Sequence, residues 1–272
     1  MVLHKTEPYT TGLNMIVSQA EDEAGMRLDF GILNLLPGMS WEDKANKERA
    51  LLLLSGTVRF SWNGQERMAS RNSCFDENPE VLLVPAGMDI QLTAGDEGAK
   101  LVYEACLNHQ SFEPVYYGKE NVREDVFGAG VMGEASIRTV RTIFDGEIAP
   151  FSNMVLGEVV NHPGKWSSYP PHDHPHPEIY HYTLFPSQGF GVSLLDEEAT
   201  VVKDGSTSLI PPDTTHSQVA GAGYAMHYVW MIPHLPNDRW LPSTRYFRKE
   251  HEWLMEPNVK IWPERPYSKE NA

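Results

Sequence analysis

Apolar residues in this chain fall into short runs separated by Gly, Pro, Asn and Asp, and almost none recur at helical spacing. Met26–Leu36 partly alternates apolar and polar residues and reads as a strand ended by Pro37-Gly38. Ala50–Leu54 and Thr57–Trp62 read as two β runs split by Ser55-Gly56, and Asn63-Gly64 is a strong hairpin signal. Val81–Val84 closes on Pro85-Ala-Gly87, and a turn is expected at Gly95-Asp-Glu-Gly98 between Ile90–Thr93 and Lys100–Cys106. Asn108 to Gly133 has few periodic residues and reads as a linker crossing between halves. Strands resume with Arg138–Ile143, Asn153–Asn161, Phe190–Leu195, Thr200–Val202, Thr207–Ile210, Ser217–Val219 and Tyr224–Met231. Helical periodicity is suggested only for Arg245–Leu254. Short, regularly spaced strands with turn residues between them predict an all-β fold of barrel or jelly-roll type.

A faint internal repeat divides the chain. Val81–Val84 reaches Pro85, then a turn residue at Gly87, then Ile90; Ser208–Ile210 reaches Pro211, then Asp213, then His216. The halves read as one barrel design used twice, over residues 1–120 and 121–272, with metal-binding side chains only in the second. A length of 272 residues accommodates both. The net charge of −15 argues against nucleic acid and anionic membrane surfaces as partners. Cys74 and Cys106 are too few for a disulfide framework and are expected as reduced thiols. The opening residues lack an apolar signal core and no apolar run is long enough to span a bilayer, so a cytoplasmic location is expected.

The chemistry concentrates between Gly164 and His216. In a strand, residues two apart share a face, so His172 and His174 can grip one ion together. Glu178 and the distant His216 complete a set of three nitrogens and one oxygen; imidazole suits zinc, iron, nickel and copper, and the carboxylate adds charge and hardness. The pattern Gly164, His172-x-His174, Glu178, Gly189, followed by Gly205, Pro211 and His216, resembles the two cupin motifs, with Asp213 in place of the usual turn glycine. Trp166-Ser-Ser-Tyr-Pro-Pro-His172 and Pro186-x-Gln-Gly189-Phe190 resemble more narrowly the 5-deoxy-glucuronate isomerase family of inositol breakdown, related to the keto-uronate isomerases of pectin breakdown. The connection from His174 to Glu178, only Pro175-His176-Pro177, is shorter than is usual there.

The resemblance implies a bicupin, two jelly-roll barrels with a divalent metal in the C-terminal one, zinc foremost and manganese, iron or nickel as alternatives. It also implies a sugar-acid substrate, an aldose–ketose isomerisation to 5-dehydro-2-deoxy-gluconate, and a homo-oligomer. An iron-dependent cupin dioxygenase and a non-catalytic sugar-binding bicupin are the competing readings. Strand alternation puts Glu178, Tyr180 and Tyr182 on one face and His181 on the other. Tyr180 and Tyr182 are therefore candidates to line the cavity, although barrel-core packing is the simpler role for each. Glu158 is a candidate second carboxylate or a rim charge, and Lys165 a partner for the substrate carboxylate or a solvated turn residue. His176, between two prolines, is expected to be exposed, and His227 stands evenly between core and cavity wall.

Overall fold

The computed structural model of the protein describes residues 1–21, 24–256 and 259–262. Its regular elements are strands, joined by short 3-10 turns, and no α-helix occurs among the described residues. The first half forms an eight-stranded antiparallel sheet in the order Gly12–Val17, Asp29–Leu35, Ile90–Cys106, Glu48–Trp62, Val81–Val84 and Val115–Tyr117. Ser40–Asp43 and Gln65–Arg71 are attached alongside the long strands. Leu33, Leu51, Phe60, Leu92 and Leu101 fill the interior of this half.

The second half has two sheets. One runs Val2–Leu3, Thr207–Ile210, Glu178–Phe185, Ala225–Pro233, Met154–Asn161, Arg138–Phe144 and Arg123–Phe127. The other runs Glu198–Val202, Gly191–Leu195, His216–Ala220, Trp166–Asp173 and Tyr246–Phe247. Val155, Tyr180, Tyr182, Tyr228 and Trp230 form its interior core. The first residues of the chain join this second half, where Val2 and Leu3 pair with Ser208 and Thr207.

The expected break at Ser55-Gly56 and the expected turn at Gly95-Asp-Glu-Gly98 are bulges instead. Glu48–Trp62 and Ile90–Cys106 are each continuous, and they pair along most of their length with register shifts at Leu53/Ser55 and Gly56/Val58. Gly56 and Gly98 both have positive φ, at 91° and 78°. A Cβ on Gly56 would lie 2.2 Å from the Gly98 carbonyl oxygen. Two strands that bend together to curl the sheet require this close backbone approach, so the glycines mark a bend rather than chain reversal. The expected linker also contains strands, Val115–Tyr117 in the first sheet and Arg123–Phe127 in the second half. Arg245–Leu254 is not an α-helix: it is the short strand Tyr246–Phe247 followed by the 3-10 segment Lys249–Met255.

The halves meet across a third apolar core that includes Phe30, Leu52 and Val102 from the first and Leu156, Ile179, Val229 and Met231 from the second. Glu178–Phe185 therefore has both faces buried. Ile179 enters the joint, while Tyr180 and Tyr182 enter the second interior. His181 faces the joint as alternation predicts, with its ring 5.2 Å from Phe30 and Nδ1 3.0 Å from Thr207 Oγ1.

Candidate metal centre and cavity

The specific string Trp166–His172 lies on a bulged strand. It pairs with His216–Ala220 at Trp166 and Ser167 and again at His172, with a register shift between. Ser168, Tyr169 and Pro170 are thereby released from the ladder and line a cavity. Ser168 adopts a φ of 48°, which is uncommon for a residue with a side chain, and its Oγ lies 2.9 Å from Tyr180 Oη. His172 sits directly opposite His216 in the ladder, so the two arrive on one wall. Glu178 opens the facing sheet's strand, opposite Ile210. The loop carrying His174 is tied down by the Asp213 N–H, which donates to the His174 carbonyl at 2.9 Å. Asp213 has φ 59°, so it takes the left-handed turn position that glycine holds at Gly87 in the first half, where φ is 76°.

His174, Glu178 and His216 converge, with one potential ligand atom from each lying within 4.8 Å of the others. Glu178 Oε2 is 3.2 Å from His174 Nε2 and 3.3 Å from His216 Nε2. The His172 ring is centred 4.7 Å from that of His216 and 6.4 Å from that of His174. All four residues are buried. In each histidine Nδ1 faces a backbone carbonyl: Pro170 at 3.0 Å for His172, His176 at 2.8 Å for His174, and Thr214 at 3.0 Å for His216. A carbonyl only accepts, so Nδ1 must carry the proton and the neutral ring presents a lone pair at Nε2. Burial, reinforced by the neighbouring His216, pushes the His172 imidazolium well below its usual range, which keeps that ring neutral. Burial opposes the Glu178 charge, and His174 and His216 hold the carboxyl down to about 2 only when Nε2 carries a proton as well; with the rings neutral, a cation would take that role. His216 Nε2 is buried with no hydrogen-bond partner among the described residues. Nitrogen lone pairs and a carboxylate aimed at one point suit a divalent cation, and orienting bonds on Nδ1 are what metal-ligating histidines require.

A cavity of about 620 Å³ opens onto this cluster and is lined by His172, His174, Glu178 and Tyr180 together with Tyr228 and Trp230. Tyr180 and Tyr228 share Ser168 Oγ at 2.9 and 3.4 Å, and Tyr228 donates to Ser167 Oγ at 2.8 Å. Burial, with Glu178 nearby, raises the Tyr180 phenol well above its usual range, which favours its protonated form.

Three candidates from the sequence do not line the cavity. Tyr182 lies on the predicted face but deeper, sealed by hydrogen bonds to Ser208 at 2.9 Å and Gln218 at 2.6 Å. Lys165 lies in the turn before its strand, away from the cavity lining. Glu158 is buried in the joint between the halves, where Arg71 grips it through two 2.7 Å hydrogen bonds. His227 Nε2 lies 3.1 Å from the same carboxylate, which resolves His227 as a joint residue and not a cavity wall. His176, expected to be exposed, is fully buried because Asp238 folds over it, with its carbonyl 2.7 Å from Nε2. Conversely, sequence reasoning passed over Ser168, Tyr228, Arg138 and Arg245, all of which line the cavity. Ser168 lies inside the singled-out string, and Tyr228 follows His227 in a recognised strand, so both carried a usable signal; the two arginines carried none.

Among the described residues no helix is long and apolar enough to cross a membrane. The protein shares 24% identity over 249 residues with the 5-deoxy-glucuronate isomerase of Bacillus licheniformis, covering 84% of this chain and 88% of that one. Its fold superposes on an IolB-like protein from Salmonella typhimurium with a TM-score of 0.83 at 19% identity, covering 94% and 99% of the two chains. It superposes on the oxalate decarboxylase of Lactobacillus farciminis with a TM-score of 0.65 at 12% identity, covering 94% and 91%. A match to the KduI/IolB family runs over residues 2–254, nearly the whole chain, and the protein belongs to that family.

Proposed function

We propose that the protein is a metal-dependent aldose–ketose isomerase that converts 5-deoxy-glucuronate to 5-dehydro-2-deoxy-gluconate, built as a bicupin with its metal in the second barrel. The convergence of His174, Glu178 and His216 on a cavity that also exposes His172 carries this reading. His172, His174, Glu178 and His216 would hold a divalent ion, zinc foremost. When bound, the ion would supply Lewis-acid polarisation of the substrate carbonyl and its neighbouring hydroxyl.

The chain's own groups supply the rest. The reaction moves a proton between adjacent carbons, with negative charge growing on oxygen, and a fixed hydrogen-bond donor stabilises that charge. Tyr180 qualifies because it lines the cavity, holds its proton and is oriented by Ser168. Trp230 and Tyr228 line the cavity, and their apolar faces would exclude water around the reacting carbons of a bound substrate. Tyr180→Phe is expected to lower kcat by about 10- to 100-fold while metal content stays unchanged, because it removes one hydrogen bond to a charged oxygen. Steady-state kinetics beside metal analysis checks this.

The deciding experiment is metal analysis of the purified protein followed by an isomerase assay with 5-deoxy-glucuronate. Turnover that depends on a bound divalent ion and consumes no oxygen is expected. Oxygen uptake coupled to turnover would point to a dioxygenase, and absence of both metal and turnover after addition of Zn or Mn would defeat the proposal.

A further inference from the structure

We propose that Arg138 and Arg245 form the clamp that holds the carboxylate of the sugar-acid substrate, and so make the cavity specific for an acid over a neutral sugar. The proposal rests on the reading of the substrate as a sugar acid. Both arginines line the cavity that contains His174 and Glu178. In a chain with 37 acidic and 22 basic residues, most arginines should find an acid. Arg123, the third arginine of this cavity, does so, with Asp125 at 3.4 Å and Asp145 at 3.5 Å. Arg71, Arg141 and Arg49 elsewhere do the same. Arg138 and Arg245 make no ion pair with any carboxylate among the described residues.

What they bond instead fixes their positions. Arg138 donates to the carbonyls of Ser136 at 2.8 Å and Tyr169 at 3.2 Å, and its guanidinium lies 5.5 Å from the Phe127 ring centre. Arg245 donates from Nε to the Pro242 carbonyl at 2.9 Å, and its two terminal nitrogens have no hydrogen-bond partner among the described residues. A guanidinium carries five donors in a planar fork that matches a carboxylate. Burial lowers the pKa of both arginines, and each of the two charges lies near Tyr180. Two partly desolvated cations in one cavity are unfavourable until an anion joins them. Of the three acids on the lining, Asp125 pairs with Arg123, Glu178 attracts Arg245 but belongs to the histidine cluster, and Glu256 is exposed. The missing anion fits the substrate, whose carboxylate would anchor one end while its carbonyl end meets the histidine cluster. Such anchoring would orient the reacting carbons.

The test uses the full-length, metal-loaded protein and the variants Arg245→Met, Arg138→Met and Arg245→Lys. KM for 5-deoxy-glucuronate is measured beside calorimetric binding of D-glucuronate and D-glucose. Each Met variant should raise KM and weaken D-glucuronate binding by about 30-fold, the loss typical of truncating one side of a desolvated charge pair. Arg245→Lys should recover part of this, metal content and melting temperature should hold, and D-glucose should bind poorly to all forms. If Arg138→Met fails to fold because its two carbonyl bonds are lost, the Arg245 variants decide. A folded, metal-loaded Arg245→Met with the wild-type KM and D-glucuronate affinity overturns the clamp and leaves the isomerase reading standing. Arginine-dependent binding of D-glucuronate without turnover of 5-deoxy-glucuronate does the reverse: the clamp stands and the isomerase reading fails.

Discussion

Glu178→Gln is expected to weaken divalent-metal binding by roughly 100-fold or more and to cut isomerase turnover by roughly 10³-fold. Loss of a group that merely orients a ligand already costs 10- to 100-fold in affinity, and Glu178 is the charged member of the set itself. The substitution keeps the shape and removes the charge that His174 and His216 face at 3.2 and 3.3 Å. The activity figure follows from losing Lewis-acid stabilisation worth several kcal/mol in the transition state. The same variant separates a metal centre from a buried ion pair that serves only stability. A ligand that binds the folded state alone raises the melting temperature by mass action. Wild-type protein should therefore gain melting temperature as Zn or Mn is added, and Glu178→Gln should gain almost none. If instead the variant melts lower by the same amount with and without metal, the cluster is a structural ion pair and the metal reading fails. Equilibrium dialysis and thermal melts with and without chelator supply both readouts.

The histidine–glutamate cluster was legible because its geometry is local. His172 and His174 share a face by strand alternation, Glu178 opens the next strand, and His216 lies at the end of a turn whose Pro211 and Asp213 can be read directly. Glu158 was not legible, for a physical reason. All eight residues of Met154–Asn161 are buried, so the strand lacks the apolar–polar contrast that tells one face from the other. Val155 and Val159 face the second interior, and Met154 and Leu156 face the joint, so alternation puts Glu158 with the joint once the first half is in place. Only the partner sheet decides which buried face is the cavity. Arg245 escaped notice because it reaches the cavity from beyond the last long strand, through a contact that no periodicity encodes. Gly56 and Gly98 carried the right signal for a departure from regular strand, but glycine serves a turn and a bulge equally well; the pairing of Ser55 with Lys100 makes it a bulge.

The joint itself predicts the largest stability effect. Arg71→Met is expected to destabilise the protein by about 3–5 kcal/mol, the cost of leaving a buried charge without its partner, and to lower the melting temperature by on the order of 10 °C. Arg71 and Glu158 are both fully shielded and come from opposite halves of the chain, from Gln65–Arg71 and Met154–Asn161. Arg141, at 3.6 Å from Glu158, is already shared with Glu124 and the Cys74 carbonyl and cannot replace the paired 2.7 Å contacts. Adding Glu158→Leu to Arg71→Met should recover part of the loss, because it removes the stranded charge. The pH dependence has two limbs of opposite sign. Burial works against both charges, but Cys74 and Glu158 lift His227 from 6.5 to about 9, while Arg71 and His227 hold Glu158 below its ordinary 4.5. A raised histidine contributes fully below 6.5 and loses that contribution as pH climbs through about 9, because the unfolded chain releases the proton first. A depressed carboxylate contributes fully above 4.5 and loses its contribution as pH falls towards its folded value. Chemical denaturation across pH should therefore show a plateau between 4.5 and 6.5 from this cluster. His227→Gln should flatten the alkaline limb and leave the acid limb in place. Val159, the neighbour of Glu158, lines the cavity, so the ion cluster braces the wall of the site from the first half of the chain. An Arg71→Met protein with unchanged stability would remove that role from the first half.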